Sequence, residues 1–189
     1  MINRLLDIYR RLFWNSEKSA RFQGVKIGIN CNIQKVLFGS EPYLIEIGDH
    51  VQITNGTKIF THGGGWVFRD QYPKLDYFGK VTIKNNVYIG NNSMIMPGVT
   101  IGNDVIVGAG SVVTKSIPDG KIAAGNPARI VGDTKDFLVK IKQYDVGSKG
   151  MNYEEKKKYL LKPGVLVVAG RLPITVILAA VQVDIQKQL

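Results

Sequence analysis

The chain carries two histidines, His50 and His62, and one cysteine, Cys31, so imidazole or thiol chemistry has few places to occur. Imidazole changes charge near neutral pH and suits the removal of a proton from an attacking hydroxyl. His62 stands in Ile59-Phe-Thr-His-Gly-Gly-Gly65, at the lip of an irregular segment, and is the stronger candidate for a general base. His50 falls within Ile47-Gly-Asp-His-Val51, at an outward corner position that suits a solvated surface residue. Cys31 occupies the fifth place of a short unit beginning at Ile27, where a small buried side chain is expected, so it is a poor nucleophile. A single cysteine also excludes an internal disulfide and an all-Cys metal site.

The elements that must position these residues follow from an internal period. From Ile83 the chain divides into sixes: Ile83-Lys-Asn-Asn-Val-Tyr, Ile89-Gly-Asn-Asn-Ser-Met, Ile95-Met-Pro-Gly-Val-Thr, Ile101-Gly-Asn-Asp-Val-Ile, Val107-Gly-Ala-Gly-Ser-Val, Val113-Thr-Lys-Ser-Ile-Pro. The same pattern starts earlier at Ile47, Ile53 and Ile59, with a fainter copy at Ile27. A period of six fits neither a helix nor a long strand. It fits a short strand and a corner, repeated, with one branched side chain per unit turned inward. Glycine at the second place is expected to relax the backbone at the corner. Stacked coils of this kind pair every strand with those above and below.

The starts at Ile59 and Ile83 differ by a multiple of six, so the excursion over 63–80 leaves and rejoins the repeat in phase. It carries Trp66, Arg69, Tyr72, Tyr77 and Phe78, and projecting loops on a rigid scaffold are common places for binding. Trp66, Arg69 and Tyr72 are the candidate acceptor-binding residues. Asp70, Asp76 and Glu41 are acidic residues that could orient His62, and the sequence does not rank them.

These motifs resemble the hexapeptide-repeat acyltransferases, above all the maltose, galactoside and capsular-polysaccharide O-acetyltransferases, over residues 24–132. The resemblance implies a mainly β fold, a three-sided left-handed parallel β-helix, assembled as a homotrimer with sites at the subunit clefts. It implies acetyl-CoA as co-substrate, a sugar or glycan acceptor, and His62 as the base in direct transfer without an acyl-enzyme. Position by position it carries the cofactor contacts to Asn91, Ala109, Thr114, Lys115 and Arg129. These lie in or beside Gly108-Ala-Gly-Ser-Val-Val-Thr-Lys115 and Ala124-Gly-Asn-Pro-Ala-Arg129. Asn91 and Ala109 are eighteen residues apart, one full coil, and should stack. Many relatives with a Trp-Val-Phe-Arg loop carry Asp after the histidine, whereas this chain has Gly63. A carbonic anhydrase-like zinc site on the same fold needs three protein ligands, and two histidines do not supply them; no metal is expected. Other readings are transfer to an amino-sugar nitrogen or an antibiotic, and a non-enzymatic binding scaffold.

The remaining residues fall into a lead-in (1–23) and an appendage (133–189). Leu5, Ile8 and Leu12, with Arg4, Arg10 and Arg11, predict a short amphipathic helix that is expected to pack on its own domain, contact with an acidic membrane surface being the alternative. No signal-peptide pattern precedes it, and the expected setting is cytoplasmic with peripheral membrane contact as an option. Asn152-Tyr-Glu-Glu155 predicts a capped helix start, and the apolar stretch 165–183 is too broken by Gly170, Arg171 and Pro173 to span a bilayer. Twenty-five Lys and Arg against fifteen Asp and Glu give a net charge of +10 in 189 residues, favouring anionic partners. No nucleic-acid module is recognisable.

Overall fold

The structure, a computed structural model, describes residues 16–165. The helix expected over 5–13 and most of the apolar stretch 165–183 lie outside these residues.

The chain forms a left-handed parallel β-helix whose strands are two or three residues long through most of its coils. Strands β1 (Lys26–Ile27), β4 (Ile45–Ile47), β7 (Val81–Ile83) and β10 (Thr100–Ile101) stack as the first sheet. The second sheet stacks β2 (Asn32–Ile33), β5 (Gln52–Ile53), β8 (Tyr88–Ile89), β11 (Ile106–Val107) and β13 (Lys121–Gly125). The third holds β3 (Leu37–Phe38), β6 (Lys58–Ile59), β9 (Met94–Ile95) and β12 (Val112–Val113). β14 (Ala128–Asp133) then turns back antiparallel on β13 and closes the top of the second sheet. At the bottom, α1 (Ser16–Phe22) buries Ala20, and Arg21 donates to the carbonyls of Ile27 and Gly28 on the lowest rung. After β14 come α2 (Thr134–Lys142) and α3 (Tyr153–Leu160), the latter opening on the Asn152/Glu155 capping box that the sequence predicts.

The first place of each six is the core. Ile47, Ile53, Ile59, Ile83, Ile89, Ile95, Ile101, Val107 and Val113 are all buried, in register from coil to coil. Ile83 pairs with Ile101, Ile89 with Val107 and Ile95 with Val113, each eighteen residues on. Ile47 pairs with Ile83, twice that distance, so the excursion inserts the equivalent of one coil. The final unit departs from the predicted six. Ile117, not the residue two places later, bridges to Ile101, so the corner after Val113 is two residues shorter.

The corner mechanism also differs from the expectation. The left-handed backbone falls at the fourth place of the unit: Asn30, His50, Gly56, Asn86, Asn92, Gly98, Asp104, Gly110 and Gly120 all have positive φ. Asn, Asp and Gly tolerate that region at least strain, which explains the residue choice there. Glycine at the second place has another cause. A Cβ on Gly90 would lie 2.5 Å from the Ala109 nitrogen, and one on Gly102 2.6 Å from the Asp119 nitrogen. Those positions are bare because successive coils touch there.

The fifth place carries Val51, Val87 and Val105 at one corner but Thr57, Ser93 and Ser111 at the next, all buried. The hydroxyls are chosen because that corner has carbonyls to satisfy. Ser93 Oγ donates to the Gly90 and Gly108 carbonyls (2.8 and 3.1 Å), and Ser111 Oγ to Gly108 (2.6 Å). Cys31, at a fifth place as predicted, is half-buried and sits 3.2 Å from the Gly48 carbonyl through its sulfur.

Adding a methyl group where coils touch must displace backbone. Gly102→Ala is expected to lower stability by about 1–3 kcal/mol in urea unfolding. Gly98→Ala meets no atom within 4 Å and should show only the cost of its positive φ.

Candidate active site

The candidate base is set by two consecutive coils. β6 ends at Ile59, and the next residues, Phe60, Thr61 and His62, run into the excursion at the corner between the third and first sheets. The preceding coil brings Glu41 to the same corner, just ahead of the 3-10 turn Pro42–Leu44. Glu41 Oε2 lies 2.7 Å from His62 Nδ1 and accepts a second hydrogen bond from buried Thr61 Oγ1, also at 2.7 Å. The Thr61 hydroxyl, and then the imidazole, hold the Glu41 carboxyl below its ordinary value, outweighing the opposite effect of burial. An ionised carboxylate only accepts, so the shared proton is assigned to Nδ1 and Nε2 keeps its lone pair. Of the three acidic residues left open by the sequence, Glu41 is the partner; Asp70 and Asp76 are exposed on the excursion. The Glu41 side chain is 14% exposed while His62 is 40% exposed, so the pair is anchored on one side and accessible on the other.

The excursion is pinched shut at its base. Gly79 N donates to the Thr61 carbonyl (2.7 Å), and His62 and Phe78 form an isolated antiparallel bridge. Their rings lie 5.8 Å apart at 59°, so Phe78 buttresses the imidazole. Gly79 can be nothing larger, because a Cβ would come within 2.3 Å of the Gly98 nitrogen. Beyond the pinch, Gly64 takes a positive φ and a short 3-10 turn, Gly65–Phe68, carries Trp66 outward to 82% exposure. Arg69 and Tyr72 are also exposed. Among the described residues, none of Trp66, Arg69 or Tyr72 is in hydrogen-bond or ring contact with His62.

The five predicted cofactor residues divide between two corners. Asn91 and Ala109 stack one coil apart at the corner between the second and third sheets, where Gly110 N donates to the Asn91 carbonyl (2.7 Å). Arg129, the second residue of β14, lies above that corner, and the hairpin is fastened there by Gly125 N donating to Ser111 Oγ (3.1 Å). Thr114 and Lys115 sit on the other corner, the one that carries His62. The third sheet lies between the two groups. Lys115 and Arg129 are exposed and form no ion pair among the described residues, and Gly110 leaves open space at its Cβ position. Bare backbone for a thin amide-bearing arm and unpaired cations for phosphates fit a coenzyme A thioester. A hollow of about 670 Å³ lies on the third corner and includes none of these residues. The chemistry of the side chains, not the size of the hollow, locates the candidate site.

Among the described residues there is no group of three or more His, Cys, Asp or Glu that could hold a metal ion, and no helix is long and apolar enough to cross a membrane.

Residues 80–115 match the family model described as bacterial transferase hexapeptide (six repeats). The chain is 52% identical over 150 residues to Protein CapG of Staphylococcus aureus, covering 77% of this chain and 87% of CapG. It is 38% identical over 96 residues to the galactoside O-acetyltransferase of Escherichia coli K12, covering 51% of this chain and 47% of that enzyme. Among solved structures it is similar to a hexapeptide-repeat acetyltransferase of Vibrio cholerae O1 biovar eltor complexed with acetyl coenzyme A. The TM-score is 0.54 at 34% identity, over 60% of this chain and 62% of that one.

Nitrogen-15 NMR is expected to show His62 protonated at Nδ1; a ring protonated at Nε2 alone would remove Glu41 as its partner. Because the folded carboxyl titrates below its ordinary value, the stability it contributes is present above the unfolded glutamate value and lost as pH falls through the folded one. The gap in urea midpoint between wild type and Glu41→Ala should therefore narrow below about pH 4.

Proposed function

The chain belongs to the hexapeptide-repeat transferase family, and from that premise we propose that it is an acetyl-CoA-dependent O-acetyltransferase acting on a sugar or polysaccharide-precursor hydroxyl. The observation that carries the reading is the Glu41–His62 pair, with its second imidazole nitrogen available at the mouth of an aromatic loop.

Acetyl-CoA supplies an activated acetyl group as a thioester. His62 Nε2 accepts the acceptor hydroxyl's proton as that oxygen forms its bond to the acetyl carbon. The carbon–sulfur bond then breaks, and the proton passes from His62 to the departing sulfur. Glu41 stabilises the imidazolium between those events and keeps the ring in the working tautomer. Thr61 fixes the carboxylate. Trp66 and Tyr72 offer ring faces for a sugar, and Arg69 a cation for an acidic group on it. Lys115 and Arg129 hold phosphates, while Asn91, Ala109 and Thr114 line the arm.

Since the two groups of cofactor residues flank the third sheet, a complete site requires a second copy that sets its Asn91 corner against the His62 corner of the first. A closed ring achieves this for every copy, and the resemblance to the family sets its number at three, so the reading includes a homotrimer. The similarity to a galactoside O-acetyltransferase supports a hydroxyl acceptor over an amino-sugar nitrogen.

Thiol release from acetyl-CoA, measured across sugars, amino sugars, nucleotide sugars, lipid-linked glycans and antibiotics, tests this directly. His62→Ala should lose about 10²–10⁴ in kcat with a hydroxyl acceptor; unchanged turnover would exclude His62 as the base. Glu41→Gln should lose less than His62→Ala, because the amide oxygen can still accept from Nδ1 and hold the ring in place. Release with amino sugars alone would reassign the acceptor atom to nitrogen.

A further inference from the structure

The hollow of about 670 Å³ lies between the outer face of the second sheet and α2, at the corner that carries neither His62 nor the cofactor residues. Its floor is a ladder. Asn32, Gln52, Tyr88 and Ile106 follow one another in register, one per coil, at the spacing of stacked strands, about 4.8 Å. Its rim is a second ladder on the same coils, made of fourth-place residues held left-handed. His50 Nδ1 lies 2.8 Å from Asn86 Oδ1, and Asn86 Nδ2 donates to Asp104 Oδ1 at 2.5 Å. Leu138 and Lys135 of α2 form the opposite wall.

This lining selects among ligand classes. Lys135 is its one lysine or arginine, and Asp104 opposes it, so a polyphosphate or nucleic acid lacks the cations it needs. A purely apolar ligand would leave the floor amides of Asn32 and Gln52 without partners. Planar groups that both donate and accept, beside the Tyr88 phenol and the aliphatic side chains of Val51, Val87, Val105, Ile106 and Leu138, match the hydroxyls and C–H faces of sugar rings. Repetition of the lining at each coil matches a ligand that is itself a chain of similar units.

We propose that this groove is a second, non-catalytic binding site for an uncharged oligosaccharide chain, which would retain a glycan acceptor while its hydroxyls are modified at the His62 site. The retention role rests on the reading of the acceptor as a glycan; the binding itself does not.

Calorimetric titration of the full-length protein with maltohexaose and with chitohexaose tests it, alongside light scattering of each variant. Wild type and His62→Ala should bind at least one of the two with the same Kd. Tyr88→Ala and Gln52→Ala should each weaken that binding about tenfold, with thermal midpoints near wild type because both side chains lie outside the core. Binding that survives both substitutions, or no binding of either hexasaccharide, would overturn the proposal. So would a change in assembly mass in either variant, which would assign the groove to contact between copies. Groove-dependent binding in a protein without transferase activity would leave this site standing and remove the catalytic reading instead.

Discussion

Everything in this molecule hangs on the close contact of one coil with the next. Short strands cannot hold themselves, and each is stabilised only by hydrogen bonds to its neighbours along the helix axis. For the stack to close, backbone must approach backbone at the corners, which is why Gly90 and Gly102 can be nothing larger. At most of its turns the chain also passes through a left-handed residue, and Asn, Asp, His and Gly fill those places. Apolar content and polar corners are two sides of one constraint: the first place faces a column of branched side chains, and three residues later the backbone must reverse.

That constraint also makes the active-site geometry possible. Glu41 and His62 are far apart in sequence and belong to separate coils, yet they meet because the coils are stacked in register. Neither residue depends on a flexible segment for its position. Thr61, buried and bound to the same carboxylate oxygen, ties the pair to the scaffold. The excursion begins at the next residue, so the boundary between rigid support and variable loop runs through the candidate base itself.

How much of this could be read from the chain alone varies with the physics involved. The inward positions were legible because burial demands Ile or Val at a fixed interval, and His62 stood out because it ends a regular unit beside three glycines. The Glu41 partnership was not legible. Glu41 sits in an irregular corner, Ser40-Glu41-Pro42, where the spacing between coils departs from eighteen, so no periodic argument aligned it with His62. The shortened corner between Val113 and Ile117 was hidden because Val113-Thr-Lys-Ser-Ile-Pro still looks like a six. Second-place glycine suggested flexibility, when its cause is a neighbour one coil away that a single-chain pattern does not display. Serine at the fifth place looked merely small, and its hydrogen bonds to Gly90 and Gly108 appear only in three dimensions.

The pinch at Thr61–Gly79 and His62–Phe78 closes the excursion off from the solenoid it interrupts. Its inserted length equals one coil, and the rungs on either side pair as though nothing lay between them. Selection can therefore rewrite the loop's tip, in length or in aromatic content, without renegotiating the register of the core or the placement of the imidazole. The fold separates the exposed aromatic loop from the Glu41–His62 pair, and the two can diverge at different rates along a lineage.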